Sequence, residues 1–600
     1  MSTKRLSWIS DASKRPTKYG QGKYGRVELV PQPSGDPEDP LVCPVRPRTY
    51  HNDADNWKNW SRWRKELNFY SLLMMVAMAG VTKTMFMTVN AQLTQGYQVS
   101  YTAVAALTGV PLILSAFTGM ACLVASRICG KRPLYLGSML LMFIGTVWST
   151  NVATSYGQCM AARIFQGLGW GAFDTLVLGS IQDTYFVRAR HSLSDLTLAD
   201  VFQDHERGFR IAIHSIVAIA TTWGPPLIGG VASQGSVGFS LQPTILSAFF
   251  VVAVPAIALG APETAFDRTF AFPETPSTAT SQFKPLLPPT PLRLLSLETV
   301  TDYVVKLKPY AYRGPANLTI LLQAPRALIT PTVVLLAIIS FLPHASLWGL
   351  AGSLSLLFSP LPFTLSPATI GALFLGPFLL STAATALPAL LPRWQTHFTR
   401  KTHLLALAAS TALAFTALLT FGLHLHDAMT PPTSTSTPSP TTPPISPFAP
   451  GYLPARVSLP ALSFALALLA ASSALLTATS LPLIRQSTAF TAPTLPTATR
   501  TTADMAAVAT CWRSLAAGVF VVGVPNAVWW WEGVRGFCVA VGGVQVVVGG
   551  VVAGGWWWWG EGVVRGGDGW VLGLQQGKGG GRGEGGLEGV RRGGSFFDLD

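Results

Sequence analysis

The chain has 600 residues, of which 49% are hydrophobic and 12% charged, about half the charge usual in a soluble globular protein. Net charge is +14, but Lys and Arg show none of the interleaving with Asn, Gln and aromatic side chains that a base-stacking surface needs, so nucleic acid is excluded as a partner. No GxxxxGK[ST] loop, HExxH or GxSxG occurs, and Cys43, Cys122, Cys129, Cys159, Cys511 and Cys538 keep no metal or disulfide spacing. ATP hydrolysis, metal binding and a disulfide framework are excluded with them; no enzyme activity, catalytic residue or cofactor is expected.

Residues 1–68 are polar, basic and Pro-containing and carry no cleavable signal peptide, so the first apolar helix must direct insertion. A membrane helix needs about 20 mostly apolar residues. Such runs predict six spans at 69–89, 101–124, 133–148, 158–181, 210–231 and 239–259, and six more at 330–351, 368–391, 403–424, 459–484, 505–524 and 536–559. The chain therefore divides into a cytoplasmic arm (1–68), a six-helix half (69–262), a cytoplasmic linker (263–329), a second six-helix half (330–559) and a Gly-rich, basic, disordered cytoplasmic tail (560–600). The Pro, Ser and Thr tract at 431–454 is expected to be an exposed outer loop. The fold class is an all-α membrane protein of about twelve transmembrane helices, a monomer in the bilayer.

Loop charges orient it, because cytoplasmic loops are enriched in Lys and Arg. Arg62, Arg64 and Lys65 precede the first span, and Arg127, Lys131 and Arg132 lie between the second and third. Connections at 91–100, 151–157 and 233–238 carry no charge. Both termini then fall in the cytoplasm. Two sets of six spans joined by a long charged loop is the plan of two repeated halves with a substrate site between them near mid-membrane.

Several runs carry a family resemblance: GPPLIGG at 224–230, ARIFQGLGWG at 162–171, GKRP at 130–133, PETAFDR at 262–268 and, in the second half, TIGALFLGPFL at 369–379 and the surroundings of Arg513. With these the chain resembles the fungal drug:proton antiporter branch of the major facilitator superfamily, most strongly over 27–268. Gly224, Pro225, Pro226, Gly229 and Gly230 look like that branch's antiporter motif, with Ala220 where another glycine usually stands. Gly130, Lys131 and Arg132 match the end of the superfamily's cytoplasmic loop motif, while Arg127 stands where the family has the Asp of an ion-pair latch. The resemblance implies the plasma membrane, a small-molecule cargo and protons as coupling ion. It breaks at 42–58 and 188–204, which read as translated introns.

An ionisable side chain inside the membrane costs about 2.5–3.5 kcal/mol on insertion scales, so one that persists is a functional candidate. Lys83, Arg163 and Asp174 meet that description. Arg163 and Asp174 lie three helical turns apart, about 16 Å, on one face and too far for a direct pair. Asp174 either binds and releases a proton in each cycle or sits at a polar interface bonded to hydroxyls. For Arg163 the resemblance implies a proton-transfer or conformational role; the alternative is snorkelling to the nearby interface. Lys83 either contacts an anionic substrate, pairs with Asp174, or lies nearer the outer surface. His344 and Trp348, four apart, share a helix face and either line the cavity or pack; Gln166 and Trp223 are further cavity candidates. The glycines of GPPLIGG allow close helix approach, and its prolines bend the helix.

The reading that follows is proton-coupled export of a drug, toxin or secondary metabolite. Proton-coupled uptake of a nutrient such as a polyamine is the first alternative. A non-transporting sensor, or the inactive product of a damaged gene, is the second, supported by Arg127 and by the Trp- and Gly-rich last quarter.

Overall fold

The computed structural model describes residues 62–152, 155–185, 206–235, 238–264, 303, 307–308, 318–360, 363–390, 400–429, 458–491, 495–530, 533–563 and 567–573. The expected introns, the 431–454 tract, most of the arm and linker, and the chain beyond 573 lie outside them. Among the described residues the structure is helical, with no strand.

The first half is built from α1 (Arg62–Thr84), α2 (Asn90–Tyr97), α3 (Tyr101–Cys129), α4 (Arg132–Ser149), α5 (Tyr156–Thr184), α6 (Glu206–Trp223), α7 (Pro225–Ala232) and α8 (Leu241–Gly260). After α9 (Leu318–Ala327), the second holds α10 (Pro331–Phe358), α11 (Pro367–Ala372), α12 (Leu375–Leu390), α13 (Arg400–Met429), α14 (Leu459–Thr491), α15 (Leu495–Trp530) and α16 (Val534–Val563), and α17 (Gly569–Val571) follows. Nine helices among the described residues are long and apolar enough to cross a membrane. The α1–α2 pair, α4 and α5 complete the twelve, and α1 and α5 fall short because they carry Lys83, Arg163 and Asp174.

The bundle has an apolar core that also encloses polar side chains, and its outer face is apolar. Phe117, Ile228, Val251 and Leu405 expose 63%, 73%, 69% and 71% of their surface, while Asn90, Arg163, Gln166 and Gln545 expose none. In water that outer face would be an aggregation patch; against hydrocarbon it is the lipid surface.

Six helix pairings in the first half recur in the second. α1 packs on α5, α6 and α8, α3 on α5, and α4 on α5 and α8; correspondingly α10 packs on α14, α15 and α16, α12 on α14, and α13 on α14 and α16. The halves meet along α3 with α15, α6 with α12, and α7 with α11.

A proline removes the donor of the carbonyl four residues back, and inside a bilayer that carbonyl must find another. Three prolines show where it comes from. The carbonyl of Leu107, freed by Pro111, accepts from Arg163 Nε at 2.9 Å; that of Leu373, freed by Pro377, accepts from Ser463 Oγ at 3.0 Å; that of Ile339, freed by Pro343, accepts from Gln545 Nε2 at 3.2 Å. The first two occupy corresponding helix pairs, α3 with α5 and α12 with α14.

Candidate functional site

The first span is broken. α1 ends at Thr84, the chain turns through Met87 N to Thr84 O and Val89 N to Phe86 O at 3.1 and 3.0 Å, and α2 resumes at Asn90. Ending the helix strands carbonyls of its last turn. Arg163 Nη1 donates to one of them, Thr82 O, at 2.7 Å, and to Gln166 Oε1 at 2.6 Å. Gln166 Nε2 lies 3.3 Å from Thr146 Oγ1 and Ser149 Oγ of α4. The guanidinium sits 5.1 Å from the Phe86 ring and 5.3 Å from that of Trp170, whose Nε1 donates to Thr82 Oγ1 at 2.8 Å. Gly167 completes the arrangement: a Cβ there would meet Pro111 Cα at 2.6 Å. Arg163 and Gln166 are fully buried. They tie α1, α3, α4 and α5 together and do not reach the interface that snorkelling requires.

Lys83, one residue beyond Thr82, holds Asp174. Its Nζ lies 2.6 and 2.7 Å from the two carboxylate oxygens, and the side chains keep 12% and 18% of their surface exposed. The pair therefore keeps some contact with accessible space. From the other half, Cys511 of α15 packs on α3, where a Cβ on Gly119 would come within 3.2 Å of its Sγ. The structure thus brings Lys83 and Asp174 together and sets Arg163 and Gln166 beside them, on the carbonyl of Thr82; His344 stands on α10 against Ser473 and Trp348.

His344 Nδ1 lies 3.0 Å from Ser473 Oγ of α14, and its ring 6.2 Å from that of Trp348. Trp348 meets Trp223 across the halves at 5.3 Å, and Trp223 stacks on Phe374 at 6.3 Å. The GPPLIGG run lies on the same seam. Pro225 and Pro226 open α7, directly after α6 ends at Trp223. A Cβ on Gly224 would come within 3.3 Å of Phe378, one on Gly230 would strike the carbonyl of Pro367, and one on Gly371 would lie 2.7 Å from Pro226 O. Gly229 packs on Gln242 within the first half. Two of the runs singled out in the sequence, 224–230 and 369–379, therefore face one another.

At the end of the bundle that carries the α3–α4 turn, Arg127 Nη2 lies 2.5 Å from Asp504 of α15. Gly130 has φ +82, which favours glycine. Glu263 accepts from the backbone N–H groups of Lys131 and Arg132, both at 3.0 Å, capping the start of α4; Lys131 Nζ pairs with Asp183 at 2.6 Å, and Arg132 donates to Ala258 O at 2.8 Å and to Ala261 O. Asp504, Asp183 and Glu263 were missed as partners from sequence. Asp504 lay one residue outside the span expected at 505–524, and the helix that holds it begins at Leu495.

Where a disordered tail is expected from 560, α16 runs to Val563 and residues 567–573 dock back. The buried carboxylate of Asp568 accepts from Thr332 N at 3.1 Å and from the hydroxyls of Thr332 and Ser487. Burial pushes its pKa up, against the pull of those hydrogen bonds.

Comparison with known proteins locates relatives. The chain is 25% identical over 213 residues to an uncharacterized MFS-type transporter of Schizosaccharomyces pombe, covering 35% of this chain and 31% of that protein. It is 23% identical over 246 residues to protein HOL1 of Saccharomyces cerevisiae, covering 40% and 35%. The chain thus spans about a third of the length of the curated relatives it matches. Among solved structures, the proton:xylose symporter XylE aligns with TM-score 0.50 and 14% identity, over 83% of this chain and 96% of that one, a likeness of fold alone. No protein-family model matches. The relatives thus show a partial sequence likeness to an MFS-type transporter, and the solved structure a likeness of fold.

Proposed function

We propose that this chain, supported as a transporter of the major facilitator superfamily, is a proton-coupled secondary carrier of a small organic molecule in which Lys83 and Asp174 form the coupling element. The carrying observation is their bidentate contact beside accessible space at the centre of the bundle. A proton on Asp174 cancels the charge that holds Lys83, so protonation and pairing exclude one another. A cargo with a basic group competes with both for the carboxylate, which couples its exit to proton entry. The likeness of GPPLIGG to the antiporter motif supports that direction, export in exchange for protons, at a plasma membrane with both termini cytoplasmic. The charge distribution at the α3–α4 end fits this orientation.

A second reading, uptake together with protons, draws on Arg513. A cargo with an acidic group takes Lys83, leaves Asp174 to the proton, and makes the two travel together. A comparison of small molecules inside and outside cells with the gene deleted or overexpressed identifies the cargo and its direction. The test of the coupling element is Asp174→Asn in proteoliposomes: accumulation driven by a pH gradient is lost while downhill exchange persists. Undiminished pH-driven accumulation in that variant would refute the assignment.

A further inference from the structure

Arg513 is the side chain the site has not yet used. It stands near the middle of α15, about 13 Å deeper than Asp504 by helical rise, where its guanidinium is too far from either end to snorkel. It is 8% exposed. Its Nε lies 3.4 Å from Ser340 Oγ, a long contact to a neutral hydroxyl whose own proton goes to Leu336 O at 2.6 Å. No carboxylate among the described residues lies within 4.0 Å of it. A buried charge is ordinarily paired, and an intramembrane one left unpaired marks a binding function.

The contrast with Arg163 is informative. Arg163 spends its donors on two backbone carbonyls and Gln166, and its Nη2 is sealed from solvent. No nitrogen of Arg513 is sealed and unpartnered, so its terminal nitrogens open onto accessible space. Ser340, His344 and Trp348 follow at four-residue steps on α10 and form one stripe. Arg513 touches the first, and the third meets Trp223 of the other half. Arg513 on Ser340 and Trp223 on Trp348 thus lie at the two ends of this stripe.

We propose that Arg513 is the anchor for an acidic group of the cargo, a carboxylate, sulfonate or phosphate on a compact apolar or aromatic body, with Trp348 and Trp223 against that body. A guanidinium offers a planar fork of N–H donors that such an acid takes up bidentately, which a lysine does not reproduce. The inference rests on the carrier reading above, names its cargo class, and adds weight to the second of its two directions.

The test uses the full chain in lipid nanodiscs and three probes of one skeleton, 3-phenylpropionate, 3-phenylpropylamine and 3-phenylpropanol, with binding followed by quenching of tryptophan fluorescence. The acid is expected to bind at least about tenfold more tightly than the amine or the alcohol, a preference one charge-assisted pair supplies. Arg513→Gln abolishes the preference, Arg513→Lys retains part of it, and Ser340→Ala leaves it within about threefold, since that contact is long. Acid bound no better than alcohol by the wild-type chain, or a preference intact in Arg513→Gln, overturns the proposal. Should Arg513→Gln not fold, Arg513→Lys decides: a preference no smaller than wild type overturns it. Counterflow of the same probes in proteoliposomes separates the two levels. Exchange of amine or alcohol without acid preference removes the anion anchor and leaves the carrier; acid-selective binding with no exchange of any probe removes the carrier and leaves the anchor.

Discussion

Arg163 of α5 supplies the hydrogen bond that Pro111 of α3 takes away: its Nε donates to Leu107 O at 2.9 Å, while Nη1 holds Thr82 O at 2.7 Å. Arg163→Ala leaves both carbonyls without donors in a dry interior, at about 1–3 kcal/mol each. Restoring an N–H with Pro111→Ala in that background gives the Leu107 carbonyl its helical partner back. Thermal unfolding of the purified protein in detergent should therefore show the double variant more stable than Arg163→Ala alone, with a coupling of about 1 kcal/mol. Strict additivity would mean that the contact carries no weight.

The Arg127–Asp504 pair joins the halves at the α3–α4 end. Arg127→Glu sets two carboxylates against each other, and each 1.4 kcal/mol lost from closure raises the open population about tenfold. Labelling of buried Cys511 by a membrane-impermeant maleimide should accelerate by at least that factor and return towards wild type when Asp504→Arg is added. A rate unchanged by Arg127→Glu would show that this end is held shut by other contacts.

Gly230, within α7, and Gly235, just beyond its end, differ in what surrounds them. A Cβ at Gly230 runs into the Pro367 carbonyl of the opposite half, whereas one at Gly235 meets nothing within 4 Å. Gly230→Ala is expected to cost about 1–3 kcal/mol by overpacking and to slow transport, and Gly235→Ala to stay within about 0.5 kcal/mol of wild type. Melting temperature and initial rate, measured side by side, check both.

Asp568 predicts a pH effect on the docked 567–573 segment. Burial raises its pKa in the docked state above the ordinary carboxylate value, although hydrogen bonds from Ser487 and Thr332 oppose the rise. The docked state therefore takes up a proton more readily than the undocked one, and its stabilisation is full below the ordinary value and lost as pH rises through the raised one. Hydrogen-exchange protection factors of 567–573 should fall across that window, and Asp568→Asn should flatten the dependence.

The twelve spans were legible because an apolar run long enough to cross a bilayer is its own signal, needing no tertiary information. The break after Thr84 was not. The run Lys83–Asn90 contains neither Gly nor Pro, and what stabilises the break comes from elsewhere: Arg163 on Thr82 O, and Gly352 O with Ser355 Oγ on Asn90 Nδ2 and Ala91 N at 2.8 and 3.1 Å. Lys83, Arg163 and Asp174 stood out as charges in apolar helices, but charge alone did not say which two would meet. That depended on a one-residue offset, Thr82 turning its carbonyl to Arg163 while Lys83 turns its ammonium to Asp174. Arg127 and Asp504 are 377 residues apart, beyond any local pattern. The correspondence of the halves shows in sequence only once the structure aligns Pro111 with Pro377.

The borrowed donors have a consequence for descent. Pro111 and Arg163, Pro377 and Ser463, Pro343 and Gln545 are each a two-part bargain struck between separate helices. Losing the donor first strands an acceptor in hydrocarbon, while losing the proline first restores the helical N–H and leaves the carbonyl, with its two lone pairs, able to accept from both. Lineages should therefore shed these prolines before their partners and seldom the reverse, so that the order of replacement is written into the chemistry of a single carbonyl.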